Sequence, residues 1–278
     1  MNLQRLSLTL KSESGAEYAF YNCTISPWIW LLRHLCGPTS YSCDVVAPAT
    51  ERTISRNRRV EMVMVTETAK LYTMVTRPHI ESVTSDERSL AWLYKVLSKE
   101  KEKERVLYED EDQEYGFILN IDTKWRSHPD PTLVPREKWL GHPSTTDLYV
   151  LAICHQKGVT TLRDLRSHHL PMLRNIYTKG IETIKSVYGI SEEHLRVFVH
   201  YHPQFYHFHV HFTRLRNEFG VQTERAHLLL DVIQNLESDG MYYASRTIQY
   251  RLKVNDKLLV KIRQGREEGG SAMQEPLK

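Results

Sequence analysis

The stretch YHFHVHF, residues 206–212, places three histidines in strict alternation with apolar residues. Successive side chains of a β-strand point to opposite faces, so His207, His209 and His211 are predicted to share one face and the apolar residues the other. One face would then enter a core while the other presents imidazoles. A metal site, a phosphate site, or chance alternation in a chain with 14 histidines could each produce this pattern.

These three explanations differ in what else they require. A zinc site usually adds a Cys, Asp or Glu ligand at close spacing, and none lies within this strand, so a metal would need ligands from elsewhere in the chain. Chance is disfavoured because the histidines alternate without a break directly after a predicted turn. A phosphate site explains more, because a neutral imidazole can attack phosphorus while its neighbours donate hydrogen bonds to the remaining oxygens.

A second strand candidate precedes the histidine stretch. The segment HLRVFVHY, residues 194–201, has strand composition, and a turn at Pro203 separates it from residues 206–215. This arrangement predicts a β-hairpin. His200 is then placed across the hairpin from the three histidines as a fourth candidate donor. Each imidazole needs its second nitrogen oriented by another group, such as a backbone carbonyl.

Composition limits the class of protein. The chain has 278 residues, of which 41% are hydrophobic and 26% charged, enough for a sizeable core and two domains. A net charge of +3 suits an anionic ligand but is too weak for a nucleic-acid footprint. No apolar run approaches membrane-spanning length, and residues 1–10 are not expected to be a signal peptide. The four cysteines form no CxxC pair, which favours a reducing compartment, cytosol or nucleus.

Apolar periodicity predicts the remaining elements. Alternation indicates strands at 1–10, 16–25, 104–110, 115–122, 145–155 and 245–253. Helical spacing indicates helices at 26–37, 87–104, 173–188, 223–238 and 255–265. The pattern of residues 54–76 does not decide between helix and strand. RPHIES at 77–82 is predicted to break that pattern. Residues 126–145, rich in Pro, His, Thr and charge, are predicted to form an exposed insertion loop.

Several segments together resemble the scavenger mRNA decapping enzymes (DcpS) of the histidine-triad (HIT) superfamily. HFHVHF is similar to the triad pattern, and the match to the decapping family extends through HYHPQFYHFHVHFT, LYVLAICHQKG, TERAHLLLDVIQNLE and SLAWLYKVL, over roughly residues 45–265. The resemblance implies an α+β fold. Residues 1–66 would form a small N-terminal domain for dimerisation and cap closure, which the family exchanges between subunits. Residues 67–278 would form a C-terminal HIT domain with an antiparallel sheet and helices.

The resemblance also implies a function. Members of the family hydrolyse the 7-methylguanosine triphosphate cap left on short products of 3′–5′ mRNA decay and release 7-methylguanosine monophosphate. Their nucleophile corresponds to His209, which would carry a phosphohistidine intermediate. The histidines that position the phosphates and protonate the leaving group correspond to His200, His207 and His211. No metal or other cofactor is expected. The implied partners are a capped dinucleotide or short capped oligoribonucleotide and a second copy of the chain.

The resemblance assigns five further residues to the substrate. Trp92 corresponds to a tryptophan that stacks on the cationic methylated base, although its pattern alone favours a core residue of an amphipathic helix. Glu102 corresponds to a carboxylate that accepts from the guanine edge, although KEKEKE is otherwise typical of a solvated helix end. Asp122 and Lys124 correspond to ribose and phosphate contacts. Arg225 corresponds to a phosphate contact, and the predicted helix start beside it would favour anions.

The chain also departs from the family pattern. Ile121 and Thr123 stand where the family commonly has proline and a second apolar residue, so an apolar contact to the base is lost. Gln204 and Phe205 stand where it commonly has Ser-Tyr, which removes a hydroxyl near the phosphates. Residues 1–44 are barely recognisable and too short for an independent core, so they are predicted to pack in a two-fold dimer.

Three alternative functions stay open. They are another HIT hydrolase acting on dinucleoside polyphosphates or nucleotidyl conjugates, a cap-binding regulatory homologue with little turnover, and a metallohydrolase. Trp92 and Glu102 at matching positions count against the first, and an intact His209 counts against the second. Activity that is insensitive to a chelator would exclude the third.

Overall fold

The computed structural model describes residues 7–11, 17–21, 61–217 and 221–268, and it divides the chain into two compact units, residues 1–61 and 62–278. In the first unit, β1 (Ser7–Lys11) pairs with β2 (Glu17–Tyr21) in antiparallel fashion. These strands overlap the strand segments predicted at 1–10 and 16–25. The helix predicted at 26–37 lies outside the described residues.

The second unit is α+β, as the sequence predicts. Its described strands are β3 (Met62–Glu67), β4 (Val106–Glu109), β5 (Phe117–Ile121), β6 (Tyr149–Cys154), β7 (Leu195–His200), β8 (His209–Arg214), β9 (Ala226–Leu228) and β10 (Ile248–Lys253). Its described α-helices are α1 (Ala69–Leu71), α2 (Arg77–Thr84), α3 (Glu87–Leu97), α4 (Leu170–Tyr188), α5 (Leu229–Ser238), α6 (Tyr242–Ser245) and α7 (Lys257–Glu268). In the described part of the chain, none of the helices is long and apolar enough to cross a membrane.

The histidine strand lies inside a six-stranded antiparallel sheet with the order β4-β5-β6-β8-β7-β9. β8 pairs with β6 on one side and with β7 on the other, so the predicted β7–β8 hairpin is present. Residues 201–208 connect its strands. Phe212 packs against α4 so closely that a Cβ on Gly180 would lie 2.3 Å from its ring. The alternation of β8 therefore places His209 and His211 on the face opposite α4, which we call the histidine face.

Helix α4 follows the predicted apolar periodicity. It has Pro171 in its first turn, where a missing N–H costs no intrahelical hydrogen bond. Gly189 follows its last residue, and its φ of 74° is the left-handed conformation that favours glycine after a helix. Its buried side chains cover one face of the sheet and leave the histidine face to other groups.

The structure describes residues 61–76 of the segment that the sequence left open. These residues contain β3, whose Val65 and Glu67 are buried, followed by the helical residues from 69 onward. RPHIES at 77–82 does not interrupt this region, because it lies within α2 with Pro78 in the first turn. β3 pairs with β10, so residues 62–66 belong to the second unit. The division thus falls before the predicted domain boundary after residue 66.

Two helices are shorter than predicted. α3 ends at Leu97 rather than at 104, and Glu102 lies beyond it in a left-handed conformation with φ of 57°. α5 begins at Leu229 rather than at 223, because residues 226–228 pair with β7 as β9. Arg225 therefore precedes a strand, and the predicted anion site at a helix start is wrong.

Most of the insertion at 126–145 is exposed, as its composition predicts, but aromatic contacts anchor it to the rest of the unit. Trp139 is 4% exposed, and its ring is parallel to that of Tyr188 with centroids 6.1 Å apart. His128 Nε2 lies 2.9 Å from the Tyr188 hydroxyl, and its ring also meets Trp139 edge-on. The insertion is therefore fastened to the C-terminal end of α4, although Leu140 remains exposed.

Candidate active site

Three imidazoles meet on the histidine face. His209 and His211 are two residues apart on β8, with ring centroids 5.0 Å apart. His200, at the end of β7, places its ring 4.2 Å from that of His211. All three side chains are buried. The predicted fourth donor thus joins two members of the predicted triad.

His207 has a different position from the other two triad members, because β8 begins only at His209. Its Nε2 donates to the Cys154 carbonyl at 2.7 Å. Its own carbonyl accepts from His209 Nδ1 at 2.7 Å. A carbonyl oxygen can only accept, so Nδ1 of His209 carries the proton and the lone pair of the neutral ring lies on Nε2. The backbone of His207 therefore sets the tautomer of His209, by the kind of carbonyl contact that the sequence reasoning requires.

His211 is oriented by a residue that the sequence reasoning missed. The Tyr149 hydroxyl lies 3.1 Å from His211 Nδ1. Among the described residues, the buried Nε2 of His211 has no hydrogen-bond partner. When Tyr149 donates to Nδ1, this Nε2 bears a proton that a phosphate oxygen can accept. The available signal was a tyrosine hydroxyl at the start of a buried apolar strand, since such a hydroxyl usually needs a partner.

Burial lowers the pKa of both His209 and His211 and so favours their neutral forms. Desolvation lowers the pKa of His209 to about 4; its hydrogen bond to the His207 carbonyl opposes this shift, and the charges of Lys124 and Arg225 reinforce it. The pKa of His211 lies well below its ordinary value, first because of burial and then because of the neighbouring histidines. A neutral imidazole retains the lone pair that nucleophilic attack requires.

The predicted ribose and phosphate contacts lie beside the histidines. Lys124 Nζ is 5.1 Å from the ring centroid of Tyr149 and 3.9 Å from Asp122 Oδ2. The backbone N–H of Lys124 donates to Asp122 Oδ1 at 2.7 Å, which fixes this turn after β5. Arg225 is half-buried, and its Nε donates at 3.2 Å to a backbone carbonyl of the β7–β8 connection. These cations surround the histidines with positive charge suited to an anionic ligand.

The predicted base-stacking residue is linked to His209 by Phe205. Trp92 on α3 is 43% exposed, so it is not the core residue that its helical pattern favours. Its ring meets Phe205 edge-on, with centroids 5.2 Å apart. Phe205 in turn stacks on the ring of His209 at 4.0 Å. One continuous row of rings therefore runs from the candidate nucleophile to the exposed indole.

The predicted base-recognising carboxylate is tied to the histidine face. Asn120 Nδ2 on β5 donates to Glu102 Oε2 at 3.1 Å. Asn120 lies opposite Leu151, and Leu151 lies opposite His211, so the register places all three on the same face of the sheet. Sequence reasoning missed Asn120, whose only local signal was a polar residue inside a buried strand. The structure thus brings together all nine predicted site residues, with His207 contributing through its backbone.

The fold and this arrangement define the class of protein. A central antiparallel strand carries buried, neutral histidines on one face, with two cations near them and an exposed tryptophan linked to them through Phe205. Within the described ranges, no three His, Cys, Asp or Glu side chains are arranged to hold a metal ion. The class is that of the histidine-triad proteins.

Comparisons with known proteins identify the particular family. A family model described as "Scavenger mRNA decapping enzyme C-term binding" matches residues 91–227. The m7GpppX diphosphatase of Bos taurus is 38% identical over 261 residues, which cover 92% of this chain and 71% of the bovine protein. The Homo sapiens m7GpppX diphosphatase is 40% identical over 235 residues, 83% of this chain and 64% of the human protein. That of Caenorhabditis elegans is 34% identical over 248 residues, 89% of this chain and 71% of the nematode protein.

The chain belongs to the scavenger mRNA decapping (DcpS) family. It spans between 64% and 71% of the length of these three relatives.

Proposed function

We propose that this chain hydrolyses the triphosphate bridge of the 7-methylguanosine cap on capped dinucleotides and short capped oligoribonucleotides, with His209 as the nucleophile. The observation that carries the proposal is the hydrogen bond from His209 Nδ1 to the His207 carbonyl. It leaves the lone pair of a neutral imidazole on Nε2, next to three further histidines and two cations. Membership of a family whose relatives are named m7GpppX diphosphatases supplies the substrate class.

The reaction proceeds in two displacements. His209 Nε2 attacks the phosphorus next to 7-methylguanosine, and the bond from that phosphorus to the bridging oxygen breaks. The leaving group is the rest of the capped molecule, ending in a diphosphate, and it takes a proton from solvent as it departs. Water then attacks the phosphohistidine, returns a proton to solvent, releases 7-methylguanosine monophosphate and regenerates neutral His209. Because both displacements use only side chains and water, the proposal includes no metal or other cofactor.

The neighbouring histidines stabilise charge as it moves on the phosphate oxygens. His211 can offer Nε2–H to a phosphate oxygen while Tyr149 holds its other nitrogen. His200 lies close enough to His211 to contact the same phosphate group. Lys124 and Arg225 balance the negative charge of the triphosphate, and Asp122 fixes the turn that carries Lys124 and contacts the ribose.

The methylated base is recognised at the other end of the site. The exposed indole of Trp92 offers a π face to a ring that carries a positive charge only when it is methylated. Glu102 accepts hydrogen bonds from the guanine edge, and Asn120 holds its carboxylate in place. This pairing of a π face with a carboxylate separates the proposal from a general dinucleoside polyphosphate hydrolase.

The proposal extends to the oligomeric state and the cellular compartment of the protein. The first unit, residues 1–61, acts as the dimerisation and cap-closing domain of a homodimer, and the protein works in the cytosol or nucleus. The buried free thiol of Cys154 is compatible with such a reducing compartment.

Replacement of His209 by Asn tests the function. Turnover of a methylated cap dinucleotide should fall by several orders of magnitude, because no other residue supplies the attacking lone pair. Binding of the same ligand should persist, since the contacts from Trp92, Lys124 and Arg225 remain. His169→Asn is the matched control, because it removes another buried histidine from a turn before α4 and should leave turnover intact.

Substrate comparison separates the remaining candidates. Wild-type protein should cleave the methylated cap dinucleotide in the presence of a chelator and cleave its unmethylated counterpart far less efficiently. Binding without turnover would identify a cap-holding protein, and equal cleavage of both ligands would identify a general HIT hydrolase. Loss of activity with chelator would reject the metal-independent mechanism.

A further inference from the structure

A buried charge cluster lies beside the β7–β8 connection, outside the groups assigned to the reaction. Glu67, the last residue of β3, accepts from Arg163 Nε and Nη2 at 3.0 and 2.9 Å, and both side chains are inaccessible. The hydroxyls of Tyr201 and Tyr250 donate to its two oxygens at 2.5 and 3.0 Å. Burial alone would raise the pKa of Glu67, but the neighbouring His202 ring and the Arg163 charge outweigh it and lower the pKa to about 2. The carboxylate is therefore ionised.

Two residues of this cluster also hold Arg225. The backbone N–H of Tyr201 donates to the Arg225 carbonyl at 2.9 Å. The His202 carbonyl accepts from Arg225 Nε at 3.2 Å. Their side chains turn to Glu67 instead: the Tyr201 hydroxyl donates to Oε1, and His202 Nε2 lies 3.9 Å from Oε2. The same dipeptide thus faces the buried carboxylate with its side chains and the arginine with its backbone.

We propose that Glu67 is a positioning residue for phosphate binding, which acts through Tyr201 and His202 to orient Arg225 toward the cap triphosphate. The proposal rests on the phosphate-binding role proposed for Arg225. Any conformation of the connection that withdraws the Tyr201 hydroxyl leaves a buried carboxylate short of a donor, which is costly. The ionised cluster therefore selects one geometry of the peptide groups that hold the arginine, so Arg225 is oriented before the substrate arrives.

Two tyrosine variants distinguish positioning from simple structural support. Tyr201→Phe and Tyr250→Phe each remove one hydroxyl donor to Glu67 and keep the ring. Only the first residue also holds Arg225 through its backbone. Tyr201→Phe is expected to lower kcat/KM for methylated cap dinucleotide by about 10-fold, because a misplaced binding group weakens transition-state contacts. Tyr250→Phe should leave kcat/KM close to the wild-type value, although both variants lower the melting temperature.

Two further measurements test whether the loss of kcat/KM in Tyr201→Phe arises from contacts to the phosphates. Affinity for the nucleoside 7-methylguanosine, which has no phosphate, should be unchanged in Tyr201→Phe. In an Arg225→Ala background, Tyr201→Phe should cause no additional loss, since residues acting through one group are not additive. Glu67→Gln keeps an acceptor atom but removes the charge, and it should reproduce the loss in kcat/KM.

Each alternative outcome has a separate meaning. Equal kcat/KM losses in the two tyrosine variants, or a Tyr201→Phe loss that adds to that of Arg225→Ala, would overturn the positioning role while leaving the proposed function intact. An Arg225→Ala variant with unchanged kcat/KM would overturn the role of Arg225 and with it the role of Glu67. A wild-type protein without cap turnover would instead reject the proposed function itself.

Discussion

The ring of His209 is held in its reactive form by two effects that act on different protons. The hydrogen bond to the His207 carbonyl decides which nitrogen carries the first proton. Burial decides that the second proton is absent, because desolvation disfavours the imidazolium. Neither effect alone would leave a free lone pair on Nε2 at neutral pH. The strand thus supplies both orientation and a low pKa to one side chain.

The pH dependence of catalysis should report this low pKa. Protonation of Nε2 removes the nucleophile, so kcat/KM for cap dinucleotide should fall only as the pH approaches about 4, rather than near the ordinary histidine value of 6.5. Steady-state rates measured from pH 8 downward check this. An acid limb centred near 6.5 would show that His209 is not the desolvated nucleophile described here.

Acid destabilisation of the fold must be separated from this limb. A histidine whose folded pKa lies below its unfolded value contributes its full share of stability above about 6.5, and that share is lost as the pH falls toward the folded value. Circular dichroism at each pH is therefore the control. A spectrum that stays unchanged across the pH range of the limb would show that the measured limb belongs to catalysis.

Site residues differ in how far a sequence can predict them. His209 and His211 were predictable because alternation along one strand is a local property. Tyr149 and Asn120 were not, because their contacts to His211 and Glu102 depend on the register of neighbouring strands. The resemblance to a known family supplied Arg225, but local patterning misjudged its surroundings.

At the scale of elements, helix α3 carries the candidate base-stacking residue on its exposed side. Trp92→Ala should weaken binding of a methylated cap far more than binding of its unmethylated counterpart, because only the methylated ring is cationic. A cation–π contact at a partly exposed site is typically worth about 0.5–2 kcal/mol. Fluorescence titration with both ligands measures the ratio of affinities.

The same helix provides a matched control for this prediction. Tyr94 is 38% exposed, compared with 43% for Trp92, and its ring meets that of His207 instead of Phe205. Tyr94→Ala should change the two affinities by similar factors. Equal weakening of both ligands in Trp92→Ala would mean that the indole does not read the methyl group.

The insertion at 126–145 makes a separate prediction about stability. Trp139 is 4% exposed and Leu140, its neighbour, is 62% exposed. Trp139→Ala should cost about 3–5 kcal/mol, as expected when a large buried ring is removed. Leu140→Ala should stay within about 0.5 kcal/mol of the wild type, as is usual on a surface. Urea unfolding at neutral pH measures both, and equal costs would contradict the packing of the insertion on α4.

Helices and strands were predictable where one apolar periodicity continued along the whole element. They were unpredictable where pairing with a neighbouring strand outweighed the local pattern. The α4 helix matched its pattern because its apolar face runs unbroken along the sheet. Residues 226–228 look helical in the sequence, yet they extend the sheet beside β7, since backbone pairing there outweighs a small difference in helix propensity. Composition predicted the exposure of most of the insertion but not its anchoring, because the polar residues around Trp139 hide the aromatic contacts that bury that ring.

At the scale of the whole molecule, residues 1–61 are a separate unit whose contribution to assembly can be tested. They form a compact unit in which β1 and β2 pair. A unit of this size is marginal on its own, because small domains bury a smaller share of their surface than large ones. The second unit begins at β3, whose partner β10 lies in the same unit, so it can be tested without the first.

A two-fold dimer is the assembly that the family resemblance implies and that the small first unit favours. We predict that the full chain is a dimer by light scattering and that a variant starting at Met62 is a monomer. Since every candidate site residue lies beyond residue 61, the truncated protein should still cleave small cap analogues through His209, with weaker affinity for lack of a closing lid. Introducing His209→Asn into the truncated protein is the control that ties residual cleavage to the same site. A truncated protein that stays dimeric would place the interface in the second unit, and a full-length monomer with unchanged affinity would remove both dimerisation and closure from residues 1–61.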